Sequence, residues 1–177
     1  MDQVYRKFLE HGHEQVTRLA TASDVLDIEA EPFWPPARYR CIFHVPYLRL
    51  TNSGVVERDP GPVLALLHIP ADYLHPADKY LYLRIASVYN PGMVHPNISP
   101  AGNVCLGAQL KAGTPVHALL HQLADIVSYR NCGLHEANSF NPVACRLLRQ
   151  HGELRRQLQS APLIRRNRKL QIQVEEI

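Results

Sequence analysis

The chain reads as an α+β domain. It predicts an N-terminal helix, four strands in an antiparallel meander, an irregular segment carrying a cysteine, and then two or more C-terminal helices. Three observations predict this order. Apolar residues recur at three- and four-residue spacing near both ends of the chain. Alternating apolar and polar residues fill the stretch between residues 25 and 86, cut by short turns. After Cys105 the period changes back from two to between three and four.

The first helix is predicted over residues 4–20, where Val4, Phe8, Val16 and Leu19 supply apolar positions and Gly12 weakens the middle. Residues 25–31, VLDIEAE, alternate as a half-buried strand does. Phe33-Trp34-Pro35-Pro36 interrupts that pattern. Residues 38–50, RYRCIFHVPYLRL, resume it, and Pro46 marks an edge, a bulge or the strand end, because proline has no N–H for the ladder. Asn52-Ser53-Gly54 and Asp59-Pro60-Gly61-Pro62 are turn signals. VLALLHI, residues 63–69, suits a buried strand. Tyr80–Ala86 gives a fourth, with Leu81, Leu83 and Ile85 on one face.

In the second half, Thr114-Pro115 reads as an N-cap followed by proline at the first helical position. Val116, Leu119, Leu120, Leu123, Ile126 and Val127 mark one face of the helix that follows, and Asn131 and Gly133 fit its termination. Asn141-Pro142 starts another, with Val143, Ala144, Leu147 and Leu148 on its apolar side, running to about residue 158. No repeat or linker divides the chain. Residues 1–160 form one domain, and residues 161–177 a basic tail whose core Arg165, Arg166, Arg168 and Lys169 precedes the alternating Leu170, Ile172 and Val174.

Composition narrows the function classes. The chain has 177 residues, 46% hydrophobic and 20% charged, enough for one full core. No apolar run reaches the roughly 20 residues that span a bilayer, and the polar N-terminus lacks a signal-peptide core, so a cytoplasmic location is expected. The net charge of +3 is mild, and no aromatic residues alternate with the basic tail residues, which argues against a nucleic-acid platform. Cys41, Cys105, Cys132 and Cys145 form no compact disulfide framework. Cys132 with His135 lacks a second ligand pair for zinc. His117 and His121, four apart on a helix, lack a third ligand and read as a polar helix edge; neither metal nor cofactor is expected.

The stretch most specific for chemistry is MVHPNISPAGNVCLG. His95-Pro96-Asn97 precedes Cys105 by eight residues counted from the asparagine, across a turn-rich loop. A thiol can carry an acyl group as a thioester, and a carboxamide can donate to the oxyanion formed when that thioester is attacked. This segment resembles the active-site segment of ubiquitin-conjugating enzymes, in which a His-Pro-Asn triplet precedes the catalytic cysteine at this spacing. Pro70-Ala71-Asp72-Tyr73 is similar to the family's Pro-x-x-Tyr-Pro segment, with Leu74 in place of the second proline. Asn141-Pro142-x-Ala144 is similar to a shortened form of the region that opens a later helix. The likeness extends over residues 20–150, and the predicted order of elements agrees with that fold.

The resemblance implies a reaction and roles. Cys105 would take a ubiquitin-like protein from an activating enzyme as a thioester and pass it to an amine, usually lysine, of a protein substrate. Asn97 would stabilise the oxyanion or organise the loop, and His95 would organise the loop rather than act as a base. Glu136, Asn138 and Ser139 are candidates for lining the acceptor side. Arg6, Lys7 and Arg18 on the first helix would meet the activating enzyme. The chain departs from the family pattern at Gly107, where many members carry an acid, and at Gly113-Thr114-Pro115, where a tryptophan-proline pair is usual. These departures imply a divergent member, of the kind found in bacterial ubiquitination-like systems, some linked to phage defence. Two other readings stand beside it: a non-catalytic module of the same fold that binds a ubiquitin-like protein, and a cysteine hydrolase with His95 as base. Cys132 is a weaker candidate nucleophile.

Overall fold

The computed structural model describes residues 2–75, 80–107 and 110–158. The expectations for the tail, residues 161–177, lie outside them. Helix α1 covers Gln3–Thr21 and is capped by the Asp2 carboxylate, which accepts from the Val4 amide at 3.0 Å. Its buried face is Tyr5, Leu9, Gly12, Val16 and Leu19, so the stripe runs one residue later than Val4 and Phe8 suggested; Val4 is exposed. Gly12 is a contact point. A Cβ there would stand 2.5 Å from Val116 Cγ2, so the missing side chain lets α1 lie against the start of the next long helix.

Six strands follow: β1 (Leu26–Ala30), β2 (Arg38–Phe43), β3 (Tyr47–Leu50), β4 (Val56–Asp59), β5 (Val63–His68) and β6 (Ala86–Val88). β1, β2, β5 and β6 pair in that order as one antiparallel sheet, and β3 and β4 form a separate two-stranded sheet. The plain four-stranded meander is thereby corrected. The stretch 38–50 splits at Pro46, where the Val45 amide turns back to the Phe43 carbonyl at 2.8 Å. Residues 56–59 add a strand that their charged composition concealed. Alternation holds in the central pair: Tyr39, Cys41 and Phe43 are buried opposite Leu67, Ala65 and Val63, while Arg38 and Arg40 face outward.

The predicted fourth strand is also displaced. Leu81–Leu83 is a 3₁₀ turn, with the Leu83 amide on the Tyr80 carbonyl and the Arg84 amide on the Leu81 carbonyl, both at 2.9 Å. Leu81 and Ile85 are buried while Leu83 is only half-buried, so the apolar spacing served a turn, and pairing begins at Ala86.

Helix α2 (Val116–Val127) buries Val116, Leu119, Leu120, Leu123, Ala124, Ile126 and Val127. Pro115 rather than Thr114 occupies its N-cap, and the Thr114 hydroxyl donates to the Lys111 carbonyl instead. Tyr73 ties the preceding loop to this start: its buried hydroxyl donates to the Thr114 carbonyl at 2.8 Å. After a 3₁₀ turn at Glu136–Asn138 come α3 (Pro142–Gln150) and α4 (Gly152–Arg156). The single helix expected over 142–158 breaks at His151, whose ψ of 42° leaves the helical range. One core joins buried residues of α1, the strands, α2 and, through Ala144 and Leu148, α3. No helix among the described residues is long and apolar enough to cross a membrane.

Candidate active site

Residues 95–105 form a small hairpin beyond β6. The Cys105 amide donates to the Asn97 carbonyl at 2.8 Å, Ile98 faces Val104 across an antiparallel bridge, and the Ser99 amide donates to the Asn103 carbonyl at 2.9 Å. The tip closes with the Gly102 amide on the Ser99 carbonyl at 2.9 Å and the Asn103 amide on Ser99 Oγ at 3.0 Å. Gly102 has φ +86°, and a Cβ on it would meet the Val88 carbonyl oxygen at 2.2 Å, so only glycine fits where the tip crosses β6. Ile98 and Val104 are buried; Cys105, which follows the second, is half-buried. The hairpin thus anchors both arms in the core and leaves Cys105 less buried than its neighbours Val104 and Leu106.

His95 is fully buried. Its Nδ1 accepts the Asn97 amide at 3.0 Å, which puts the ring proton on Nε2. Burial pushes its pKa down to about 3, offset only in part by the Ile126 backbone. The ring is therefore neutral at pH 7, and its one acceptor nitrogen is already occupied. Nε2 makes no bond of full hydrogen-bond geometry. A neutral, buried imidazole whose acceptor nitrogen already holds an amide shapes the loop and has no lone pair left for a thiol proton.

The back of the hairpin is held from α3. Asn141 caps that helix through Oδ1, which accepts the Ala144 amide at 3.1 Å, and its Nδ2 donates to the Ile98 carbonyl at 3.0 Å. The Pro96 carbonyl accepts both the Asn141 amide at 2.9 Å and Ser139 Oγ at 3.0 Å. Asn141 is buried, so these bonds are shielded from water. The Asn97 side chain faces the turn after α2, where its Nδ2 donates to the Asn131 carbonyl at 3.2 Å.

The structure brings together His95, Asn97, Cys105 and Ser139, and adds Asn141, which the sequence marked only as a helix start. Glu136 sits beside α3, with both carboxylate oxygens taken by Arg146 and Arg149. Asn138 is exposed on the 3₁₀ turn, and its amide donates to the His135 carbonyl at 3.1 Å. Arg6 and Lys7 are exposed on α1, where Arg6 pairs with Glu10 at 3.0 Å, and Arg18 borders a shallow hollow with His117. These three stand apart from the hairpin, on another element. Cys132 is half-buried, and burial pushes its thiol up to about 11; Cys41 rises to about 12 for the same reason, and Cys145 is buried. All four cysteines are free. Among the described residues no three metal-ligating side chains cluster. No protein-family model matches the chain, and no curated protein is significantly similar to it.

Proposed function

We propose that the protein is a ubiquitin-conjugating-like acyltransferase. Cys105 attacks the thioester between an activating enzyme and the C-terminus of a ubiquitin-like protein, displacing the enzyme's thiolate and holding the modifier as a new thioester. A substrate amine then attacks that carbonyl. Its nitrogen gains the acyl group and loses a proton, and Cys105 leaves as thiolate. The first exchange keeps the acyl group activated as a thioester, and the second spends that activation in forming the more stable amide, so neither needs ATP. Asn97 donates to the oxygen that becomes negative during the second attack.

The observation that carries this reading is the pairing of Asn97 and Cys105 across the hairpin. That backbone bond sets a half-buried thiol and a carboxamide on paired positions of a hairpin whose inner side is tied to α3 through Asn141. A partly exposed loop position suits a nucleophile that must meet first a thioester and then an amine. The hydrolase reading is weakened by His95, whose buried ring is committed to the Asn97 amide. The reading as a binding module without catalysis differs in one outcome. An enzyme forms an adduct with the activated modifier that thiol reductants cleave. Cys105→Ser converts it to an oxyester that resists them and yields to alkali. If Cys105→Ala still forms the reducible adduct, the assignment of Cys105 fails; if wild type forms none with its activating enzyme and ATP, the enzyme reading fails.

A further inference from the structure

Helix α2 ends in a Schellman motif with a tyrosine in the position that usually takes glycine. The Tyr129 amide donates to the Ile126 carbonyl at 2.8 Å, the Arg130 amide donates to the Asp125 carbonyl at 2.9 Å, and Tyr129 between them has φ 59°. Among the described residues it is the only one other than glycine with positive φ. A Cβ disfavours this conformation, and a bulky side chain is rarely found in it. Glycine would end the helix with less strain. What tyrosine adds is the reach of its side chain.

That side chain runs into the loop that precedes Asn97. Tyr129 is fully buried, and its hydroxyl donates to the Val94 carbonyl at 2.8 Å while accepting the Leu48 amide at 3.1 Å. Its ring lies 4.8 Å from the His95 imidazole, centroid to centroid. The backbone of the same residue turns the chain the other way. The Asn131 amide also reaches the Asp125 carbonyl, at 2.9 Å, and the Asn131 carbonyl meets Asn97 Nδ2. An ion pair between Arg130 and Asp125 at 2.6 Å closes the turn on its outer side.

The contact with Asn131 has a chemical consequence. A carbonyl only accepts, so it fixes the –NH₂ end of the Asn97 carboxamide toward the turn. That group has two N–H bonds, of which one is spent on Asn131 and one remains for another acceptor. We propose that Tyr129 is a positioning residue: its hydroxyl fixes residues 94–95, its left-handed backbone fixes the Asn131 carbonyl, and the Asn97 carboxamide is held between them with one N–H left for the oxyanion. This rests on the thioester-transfer reading above. The strained geometry at Tyr129 persists because the surrounding bonds over-determine it, as strained residues near functional sites do.

Tyr129→Phe keeps the ring and removes only the hydroxyl. The first readout needs no catalysis: the side-chain ¹⁵N–¹H signals of Asn97 in the free protein, where the proton bonded to Asn131 exchanges slowly with solvent. In Y129F that proton exchanges faster and its shift moves toward that of a free amide. The second readout is single-turnover discharge of the Cys105 thioester to free lysine. The rate at saturating lysine falls about tenfold, while the half-saturating lysine concentration and the loading rate of Cys105 stay unchanged. Asp125→Ala loosens the turn from the surface and moves the Asn97 signals in the same direction, so the test survives if Y129F fails to fold. Unchanged Asn97 signals in the variants overturn the proposal, as does a disturbed Asn97 with undiminished discharge. Failure of wild type to form any thioester removes the conjugating reading instead, and is read separately from the exchange data.

Discussion

The Cys105 amide and the Asn97 carbonyl form a 2.8 Å hydrogen bond that locks the thiol-bearing strand of the hairpin to the strand bearing the carboxamide. Because the bond is backbone to backbone, it survives replacement of either side chain. Substitutions at the two positions therefore report on chemistry with little loss of geometry.

Asn97→Ala should separate the two half-reactions. Loading of Cys105 survives, and discharge to lysine slows by one to three decades, about 1.4–4 kcal/mol of transition-state stabilisation. Single-turnover discharge across a lysine series measures this. Unchanged discharge with a lowered melting temperature would assign Asn97 to the loop alone, through its bond to Asn131.

Asn141 bonds in two directions, and its variants divide them. Asn141→Ala removes both the cap on Ala144 and the donor to Ile98, in a buried setting, and should cost about 2 kcal/mol of stability. Asn141→Asp keeps the capping oxygen and loses the donor. It should recover part of the stability in urea denaturation while discharge from Cys105 stays slow. Equal discharge rates for wild type and both variants would show that the hairpin does not need this anchor.

His95 sets a pH dependence of stability. Its folded pKa lies near 3 and its unfolded value near 6.5, so below pH 6.5 the unfolded chain takes up a proton that the folded protein refuses. Its contribution is complete above pH 6.5 and is lost as pH falls toward 3. His68 and His121, both lowered mainly by burial, act in the same direction. His95→Gln keeps an acceptor but does not titrate. Urea denaturation between pH 7 and pH 4.5 should show a shallower slope for the variant than for wild type, and identical slopes would remove His95 as a source.

The thiols should react in a set order. Cys132 and Cys41 are pushed up to about 11 and about 12 by burial and hold almost no thiolate at neutral pH, and Cys145 is fully buried. Iodoacetamide at pH 7 should label Cys105 first. Mass spectrometry of Cys105→Ser should show that the fast phase is gone; a fast phase that persists would point to Cys132.

Exposed charges on α1 should act on encounter. Reversing Arg6 and Lys7 to Glu also breaks the Arg6–Glu10 pair, a surface contact of small energetic weight. Loading by an activating enzyme should slow, most strongly at low salt, because rim charges govern association rate. Equal loading rates across a salt series would take this helix out of the interface.

The elements that sequence determined by itself are those held by local bonds. The stripe of α2, the Asp59–Pro62 turn and the Asn141-Pro142 helix start depend on residues three or four apart, and each stands where local spacing put it. The hairpin's ends were legible too, since His95-Pro96-Asn97 and Cys105 lie close along the chain. Tertiary structure decided the rest. Pro46 became a break because a second sheet formed beyond it, and the apolar spacing at Leu81 and Ile85 served a 3₁₀ turn packed into the core. Asn141 became an anchor only through Ile98, 43 residues away, and Tyr129 took a left-handed backbone only with Leu48, 81 residues away, within reach of its hydroxyl. Such bonds join groups that no local pattern relates. Their energy depends on a partner that the fold has to bring near, and the spacing of neighbouring residues carries no trace of it.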